Sequence, residues 1–197
     1  MDFMLRYRGQ LGAAGSVKEK HEIRRAIHPQ LLKLCTDVPQ FTQATTDDLP
    51  RGVLKGREVE VQRPLKALFF IVELAGFHFV PLIHRPHELA CTLDILFLRR
   101  ERPGAIVQGG DIDNRLKTLF DALRMPHDAR ELKGVMPVVP DERVYCLLED
   151  DSLITRVTVS THQLLEPLTP GESPATVELL IHVAVQATQP MWGNLGF

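Results

Sequence analysis

The sequence predicts one domain of the α/β (α+β) class, in which a mixed β-sheet is packed by two main helices. Two segments carry the apolar spacing of an amphipathic helix, one from about Val17 to Cys35 and one from Asp113 to Arg124. Around them lie short runs with strand-like alternation or dense apolar character. With 197 residues, of which 44% are hydrophobic, the chain can bury the core of a single domain, 1–197.

The predicted strands either alternate apolar and polar residues or form short apolar runs between turn signals. The clearest is 176–186, in which every second residue from Val177 to Val185 is aliphatic. The others are Phe3–Arg8, Glu58–Val61, Leu65–Leu74, Phe77–Ile83, Leu89–Arg99, Val144–Leu148 and Leu153–Val159. Outside them we expect an irregular loop at about 36–63, an insertion at about 125–143 and a C-terminal tail at 187–197.

The first helix begins at a capping box, in which Ser16 is the N-cap and Glu19 lies three residues later. Pro29 is expected to kink or split this helix, because proline lacks the backbone N–H. One helix face is apolar, and the opposite face carries a stripe of basic and imidazole side chains: His21, Arg24, Arg25 and His28. We interpret this stripe either as a surface that binds DNA phosphates or as a solvated basic face.

The second helix is predicted by an apolar stripe at helical spacing: Leu116, Leu119, Phe120 and Leu123. Asp113 or Asn114 is the natural N-cap, because a short side-chain oxygen accepts from the free N–H groups of the first turn. Capping leaves Asp111 unexplained, a second carboxylate that follows the pair Gly109 and Gly110. Two carboxylates at a turn suit a hard divalent cation. A simple capped turn is the competing interpretation.

Further charged residues strengthen the prediction of a metal site. Lys117 follows Asp113 by four residues and so lies about one turn further along the helix, where it can meet a carboxylate or a substrate phosphate. The acidic run Glu149–Asp151 ends one apolar segment and precedes a predicted strand. Three adjacent acids repel one another unless a cation or a basic partner compensates them.

These two regions carry a resemblance to a known family. Residues 110–123 read Gly-Asp-Ile-Asp-Asn-x-x-Lys-x-x-x-Asp-Ala-Leu, and residues 150–154 read Asp-Asp-Ser-x-Ile. This two-part pattern resembles the signature of the RusA-like Holliday-junction resolvases, small magnesium-dependent endonucleases, and covers about residues 109–124 and 150–159. The chain departs from the family at Gly110, where proline is usual, and in the length of the segment 125–149.

The resemblance implies a set of functional residues. Asp111, Asp113 and Asp151 would be the metal ligands and would take part in catalysis with Lys117, while Asp150 is a further candidate ligand. The cofactor would be Mg²⁺, with Mn²⁺ as an alternative. Arg115 joins the stripe on the first helix as a candidate DNA contact, and Asn114 and Asp121 would have structural or supporting roles.

Charge is distributed unevenly along the chain. The formal net charge is −2, which is not typical of a nucleic-acid-binding domain. Residues 1–35 hold seven Lys and Arg against three acids, whereas residues 126–151 hold seven acids against three bases. A bound cation would offset part of this local acidity.

The cysteines and the hydropathy pattern predict the compartment. Three cysteines without Cys-x-x-Cys spacing indicate buried free thiols in a reducing environment. No apolar run approaches the roughly 18 residues of a membrane span, and the N-terminus lacks a signal-peptide core. We therefore predict a cytoplasmic protein with no membrane partner.

The leading hypothesis is a magnesium-dependent endonuclease that resolves branched DNA by paired phosphodiester hydrolysis. Such an enzyme is expected to be a homodimer, because a four-way junction offers two equivalent strands. Two alternatives stay open: a catalytically inactive module that binds DNA junctions, and a metal-dependent phosphoesterase that acts on a smaller substrate.

Overall fold

The computed structural model describes residues 1–37, 51–54, 57–61, 70–100, 111–173 and 175–189. Side chains are described in these ranges except in 51–61, at Phe70 and at Asp111. The described helices are α1 (Val17–Asp37) and α2 (Asp111–Leu123). The strands are β1 (Asp2–Gln10), β2 (Arg51–Leu54), β3 (Arg57–Val61), β4 (Phe70–Leu74), β5 (Phe77–Ile83), β6 (Leu89–Arg99), β7 (Glu142–Leu148), β8 (Ile154–Gln163) and β9 (Thr176–Ala187).

The strands form two mixed sheets, one of four strands in the order β1-β9-β6-β8 and one of five in the order β2-β3-β4-β5-β7. In the first sheet β8 runs parallel to β6, and in the second β7 runs parallel to β5. The predicted α/β (α+β) class with two helices is therefore confirmed. The single mixed sheet that was expected is divided into two, and the chain passes from the second sheet to the first through a 3-10 turn at Arg85–His87.

The main core lies between the first sheet and the two helices. Every second residue of β6 and of β9 faces this core, as their alternation predicts. The apolar stripe of α2 packs here as well, with Leu119 and Leu123 fully buried. Apolar periodicity along β6, β9 and α2 therefore fixes which faces are buried.

Helix α1 contacts β1 of the first sheet, β7 of the second sheet and α2. Its N-terminus has the predicted cap, since Glu19 N donates to Ser16 Oγ at 3.2 Å. The Glu19 carboxylate accepts from Gly12 N at 2.5 Å and so ties the preceding loop to the helix. The prediction that Pro29 splits the helix is wrong. The helix continues through Pro29 to Asp37, because Ile27 and Leu31 remain buried on either side of it.

The segment predicted as an insertion is partly built into a second core. Met125 and Leu132 pack there with residues of the second sheet: Val72, Phe77, Phe79, Val144 and Cys146. The backbone N of Met125 donates to the Leu148 carbonyl at 2.8 Å, which joins the end of α2 to the end of β7. The base of the segment is therefore an integral part of the fold.

The predicted loop at 36–63 contains the end of α1 and the strands β2 and β3, while 38–50, 55–56 and 62–69 lie outside the described residues. Gly109, Gly110 and the tail beyond 189 also lie outside them. The three cysteines are buried and free, and burial raises the pKa of each thiol to about 12. Among the helices described, none is long and apolar enough to cross a membrane.

Candidate metal and phosphate site

The predicted metal ligands lie on two elements that contact each other. Asp113 is in the first turn of α2, and Lys117 lies one turn further along that helix. Asp151 begins the 3-10 turn Asp151–Leu153, whose Cα atoms approach those of α2 within 8 Å. Leu153 and Leu116 both pack against the main core and fix the turn and the helix there. Because α2 begins at Asp111, Asp113 is a residue of the first turn rather than the N-cap.

Asp113, Lys117 and Asp151 are exposed. Their side chains make no hydrogen bond or ion pair within the part of the chain that the structure describes. An exposed carboxylate with no internal partner is available to an external cation, and an exposed ammonium group to an external anion. These side chains are therefore the ones that can take an external ligand.

Asp150 has a structural role in this turn, and its role as a metal ligand stays a prediction. It is the N-cap of the 3-10 turn, and its Oδ1 accepts from Ser152 N at 3.0 Å and from the Ser152 hydroxyl. Its Oδ2 lies 3.2 Å from His127 Nε2, and Arg85 Nη2 lies 3.6 Å from Oδ1. Both carboxylate oxygens of this candidate ligand are thus engaged by protein groups.

Glu149 is also part of the scaffold. It is 1% exposed, and its Oε2 accepts from the backbone N of Arg85 at 2.9 Å. Its backbone N donates to the Ile83 carbonyl at 2.9 Å, so it joins the end of β7 to the end of β5. The acidic run therefore contains two structural residues followed by the exposed Asp151.

Asp121 connects the two helices. Its carboxylate accepts from Lys20 Nζ at 2.6 Å and from Arg124 Nη2 at 3.0 Å. Burial alone would raise the pKa of the Asp121 carboxyl, but Lys20 and Arg124 outweigh burial and hold that pKa below its usual value. The supporting role expected for Asp121 agrees with these contacts.

The basic stripe on α1 does not form a DNA surface at His21 and Arg24, each of which is 2% exposed. Arg24 donates to the carbonyl oxygens of Arg124, at 3.0 Å, and Asp121, at 2.7 Å. The His21 ring packs on Phe77 with centroids 5.1 Å apart. The prediction that these two side chains bind DNA is therefore wrong, because the part of α1 that bears them packs against the second sheet and the end of α2.

Arg25 and His28 are partly buried and hold the neighbouring strand. Arg25 Nη2 lies 3.0 Å from Glu142 Oε2, and His28 Nδ1 accepts from Tyr145 N at 3.0 Å. Both partners are on β7, so these contacts dock α1 against the second sheet. Arg115 is half-buried on α2, and its DNA contact stays a prediction.

Two residues that the sequence analysis did not identify approach the turn that bears Asp151. His127 reaches Asp150 from the insertion, and Arg85 reaches it from the 3-10 turn before β6. Arg85 Nη2 also donates to Ser152 Oγ at 2.8 Å. Sequence spacing could not identify them, because both contacts join residues that are far apart in the chain.

Among the described side chains, no three His, Cys, Asp or Glu residues are grouped so that they could hold a metal ion. That set does not include Asp111, whose side chain is outside the described residues. The metal site thus stays a prediction that depends on Asp111 together with Asp113 and Asp151.

Comparison of the chain with protein-family models, with curated proteins and with solved structures gave no significant match. The resemblance to RusA-like resolvases therefore rests on the motif residues in 109–124 and 150–159. Function has to be argued from the chemistry of the site.

Proposed function

We propose that this protein is a metal-dependent endonuclease that cuts branched DNA by phosphodiester hydrolysis. One observation carries the proposal. Asp113, Lys117 and Asp151 are exposed and have no partner in the described part of the chain, whereas Glu149, Asp150 and Asp121 beside them are held by protein groups. Among the described carboxylates and the lysine of the two motifs, the side chains without partners are therefore ones to which the resemblance assigns chemistry.

The donor set fits a hard divalent cation. Asp111, Asp113 and Asp151 would supply only carboxylate oxygens, which suit Mg²⁺ or Mn²⁺. When bound, the cation would lower the pKa of a water molecule and offset charge on the scissile phosphate. Without a cation, the exposed carboxylates Asp113 and Asp151 would repel a phosphate group.

Lys117 supplies the positive charge that the chain itself brings to the reaction. Its ammonium group lies one helical turn from Asp113 and is exposed. In that position Lys117 would bind a non-bridging phosphate oxygen and stabilise the additional negative charge of the transition state. Such a charge suits a phosphate-containing substrate, and in the proposed reaction that substrate is a phosphodiester.

The functional unit would be a homodimer. Resolution of a four-way junction needs two cuts on equivalent strands, and a two-fold dimer places one site on each. Size-exclusion chromatography with light scattering measures the oligomeric state directly.

One observation favours a second candidate, a metal-dependent phosphoesterase with a smaller substrate. The burial of His21 and Arg24 removes two of the five predicted DNA contacts. A small phosphodiester requires no extended basic surface, so it is compatible with the same carboxylates and Lys117.

The two candidates differ in the substrate that is cut. Cleavage is measured for three substrates, each with Mg²⁺ and with EDTA: a labelled four-way junction, the matching linear duplex and bis(p-nitrophenyl) phosphate. The endonuclease proposal predicts junction cleavage that requires Mg²⁺ and leaves the linear duplex intact. Cleavage of the small diester alone supports the phosphoesterase. Junction binding without any cleavage contradicts both and indicates an inactive binding module.

A further inference from the structure

We propose that His127 is a positioning residue that holds the turn Asp150–Leu153 and thereby presents Asp151 to the cation. This inference rests on the function proposed above. It assigns a role to the insertion, which lies outside the two motifs that resemble the resolvases.

The contact between His127 and Asp150 carries the inference. His127 Nε2 lies 3.2 Å from Asp150 Oδ2, within hydrogen-bond distance, although an N–H group on Nε2 would not point directly at that oxygen. The Nε2 atom is buried, and the Asp150 side chain is only 11% exposed. Shielding from water makes such a contact stronger than the same pair would be on an open surface.

His127 lies beside side chains that are anchored at the end of α2. Its Nδ1 lies 3.9 Å from Glu131 Oε1, and Glu131 is bound by both Nη atoms of Arg124, at 2.9 and 3.3 Å. Arg124 is itself buried and also binds Asp121 at 3.0 Å. The imidazole therefore lies next to a group of side chains that is fixed to the end of α2.

Asp150 transmits this restraint to the turn. Its Oδ1 accepts from Ser152 N at 3.0 Å, and its carbonyl accepts from Leu153 N at 3.2 Å. Asp151 is the residue enclosed by these two hydrogen bonds. Because α2 also bears Asp113, the insertion links the two elements that would share the cation.

The test compares His127→Ala and His127→Gln with wild type. Glutamine keeps a neutral N–H donor near the position of Nε2, so it should restore part of the effect. Arg130→Ala is the matched control, because Arg130 is also on the insertion but its exposed side chain pairs with Asp128. Three quantities are measured: the melting temperature, amide hydrogen exchange of Ser152 and Leu153, and the Mg²⁺ concentration that gives half-maximal cleavage of the four-way junction.

We expect His127→Ala to accelerate exchange at Ser152 and Leu153 and to raise the half-maximal Mg²⁺ concentration about 10-fold or more, as for other residues that orient metal ligands. Turnover at saturating Mg²⁺ should stay close to wild type, and the melting temperature should change as little as in Arg130→Ala. The inference is overturned if amide exchange in His127→Ala is unchanged, or if exchange is faster but the half-maximal Mg²⁺ concentration is unchanged. In either case, cleavage of the junction by the wild type would still support the proposed function. If the wild-type protein neither binds Mg²⁺ nor cuts, the proposed function fails and the inference fails with it.

Discussion

Arg24 Nε donates to the carbonyl oxygen of Arg124 at 3.0 Å and so joins the middle of α1 to the C-terminal end of α2. A second bond, from Nη2 to the Asp121 carbonyl at 2.7 Å, satisfies another carbonyl at that helix end. A cation is favourable there, because the last carbonyls of a helix carry a partial negative charge. Arg24 therefore stabilises the helix that bears Asp113 and Lys117.

Arg24→Met should destabilise the fold by about 2–4 kcal/mol, because it removes two charge-assisted hydrogen bonds and leaves buried carbonyl groups without partners. Urea denaturation of the two proteins measures the difference. Lys33→Met is the control, since Lys33 forms an exposed pair with Asp37 and its loss should cost less than about 0.5 kcal/mol. Equal effects of the two substitutions would mean that Arg24 does not support α2.

His21 should make the fold sensitive to acid. Burial, together with the charges of Arg24 and Arg25, lowers the pKa of the His21 imidazole to about 4. The unfolded chain, with a pKa near 6.5, therefore takes up the proton first as the pH falls. Stability is complete above about pH 6.5 and declines between about 6.5 and 4, by up to roughly 3 kcal/mol from this residue.

His21→Leu removes the titrating group. Between about pH 6.5 and 4, the free energy of unfolding of this variant should therefore fall less than that of the wild type. Chemical denaturation at several pH values measures how the free energy of unfolding of each protein depends on pH. Some decline should remain, because burial also lowers the pKa of His28 and His87. Identical slopes in the two proteins would show that His21 is not held in its neutral form by the fold.

Lys117→Met should abolish most cleavage without disturbing the structure. Lys117 is exposed and has no partner in the described part of the chain, so stability should change by less than about 0.5 kcal/mol. Loss of one preorganised charge should lower the single-turnover cleavage rate by about 10²-fold or more. Lys133→Met, an exposed substitution on the insertion, should leave the rate unchanged. Cleavage by Lys117→Met at the wild-type rate would exclude a catalytic role.

Leu132→Ala tests whether the insertion belongs to the core. Leu132 is 2% exposed in the second core, so the substitution should cost about 2–5 kcal/mol. Val138→Ala, at the exposed tip, should change stability by less than about 0.5 kcal/mol. Thermal or urea unfolding compares them. A small effect of Leu132→Ala would mean that the segment is a passive excursion.

Local periodicity was sufficient to predict several elements. The alternation of 176–186 predicted β9 and its buried face, and the apolar stripe of the second helix predicted how α2 packs. The Ser16 cap was also predicted, because a cap depends on residues within one turn of one another. Such features depend on neighbouring residues and are therefore visible in a single sequence.

Features that depend on long-range packing were not predictable. The face of α1 that bears His21 and Arg24 looks exposed in sequence, because charged side chains usually are. It is buried because the second sheet packs on α1, and nothing near Arg24 identifies the α2 carbonyls as its partners. At the candidate site, the spacing of Asp113 and Lys117 is local, whereas the connection to Asp151 was inferred from the resemblance.

Binding of Mn²⁺ to the wild-type protein and to Asp113→Asn and Asp151→Asn is the most direct test of the claim that these carboxylates hold a cation. Calorimetric titration measures the affinity without requiring a substrate, and Asp128→Asn is the control, because the partly exposed Asp128 is paired with Arg130 on the insertion. We expect the wild type and the control to bind Mn²⁺, and each of the other variants to bind it about 10-fold or more weakly. Unchanged binding in Asp113→Asn and Asp151→Asn would contradict the claim.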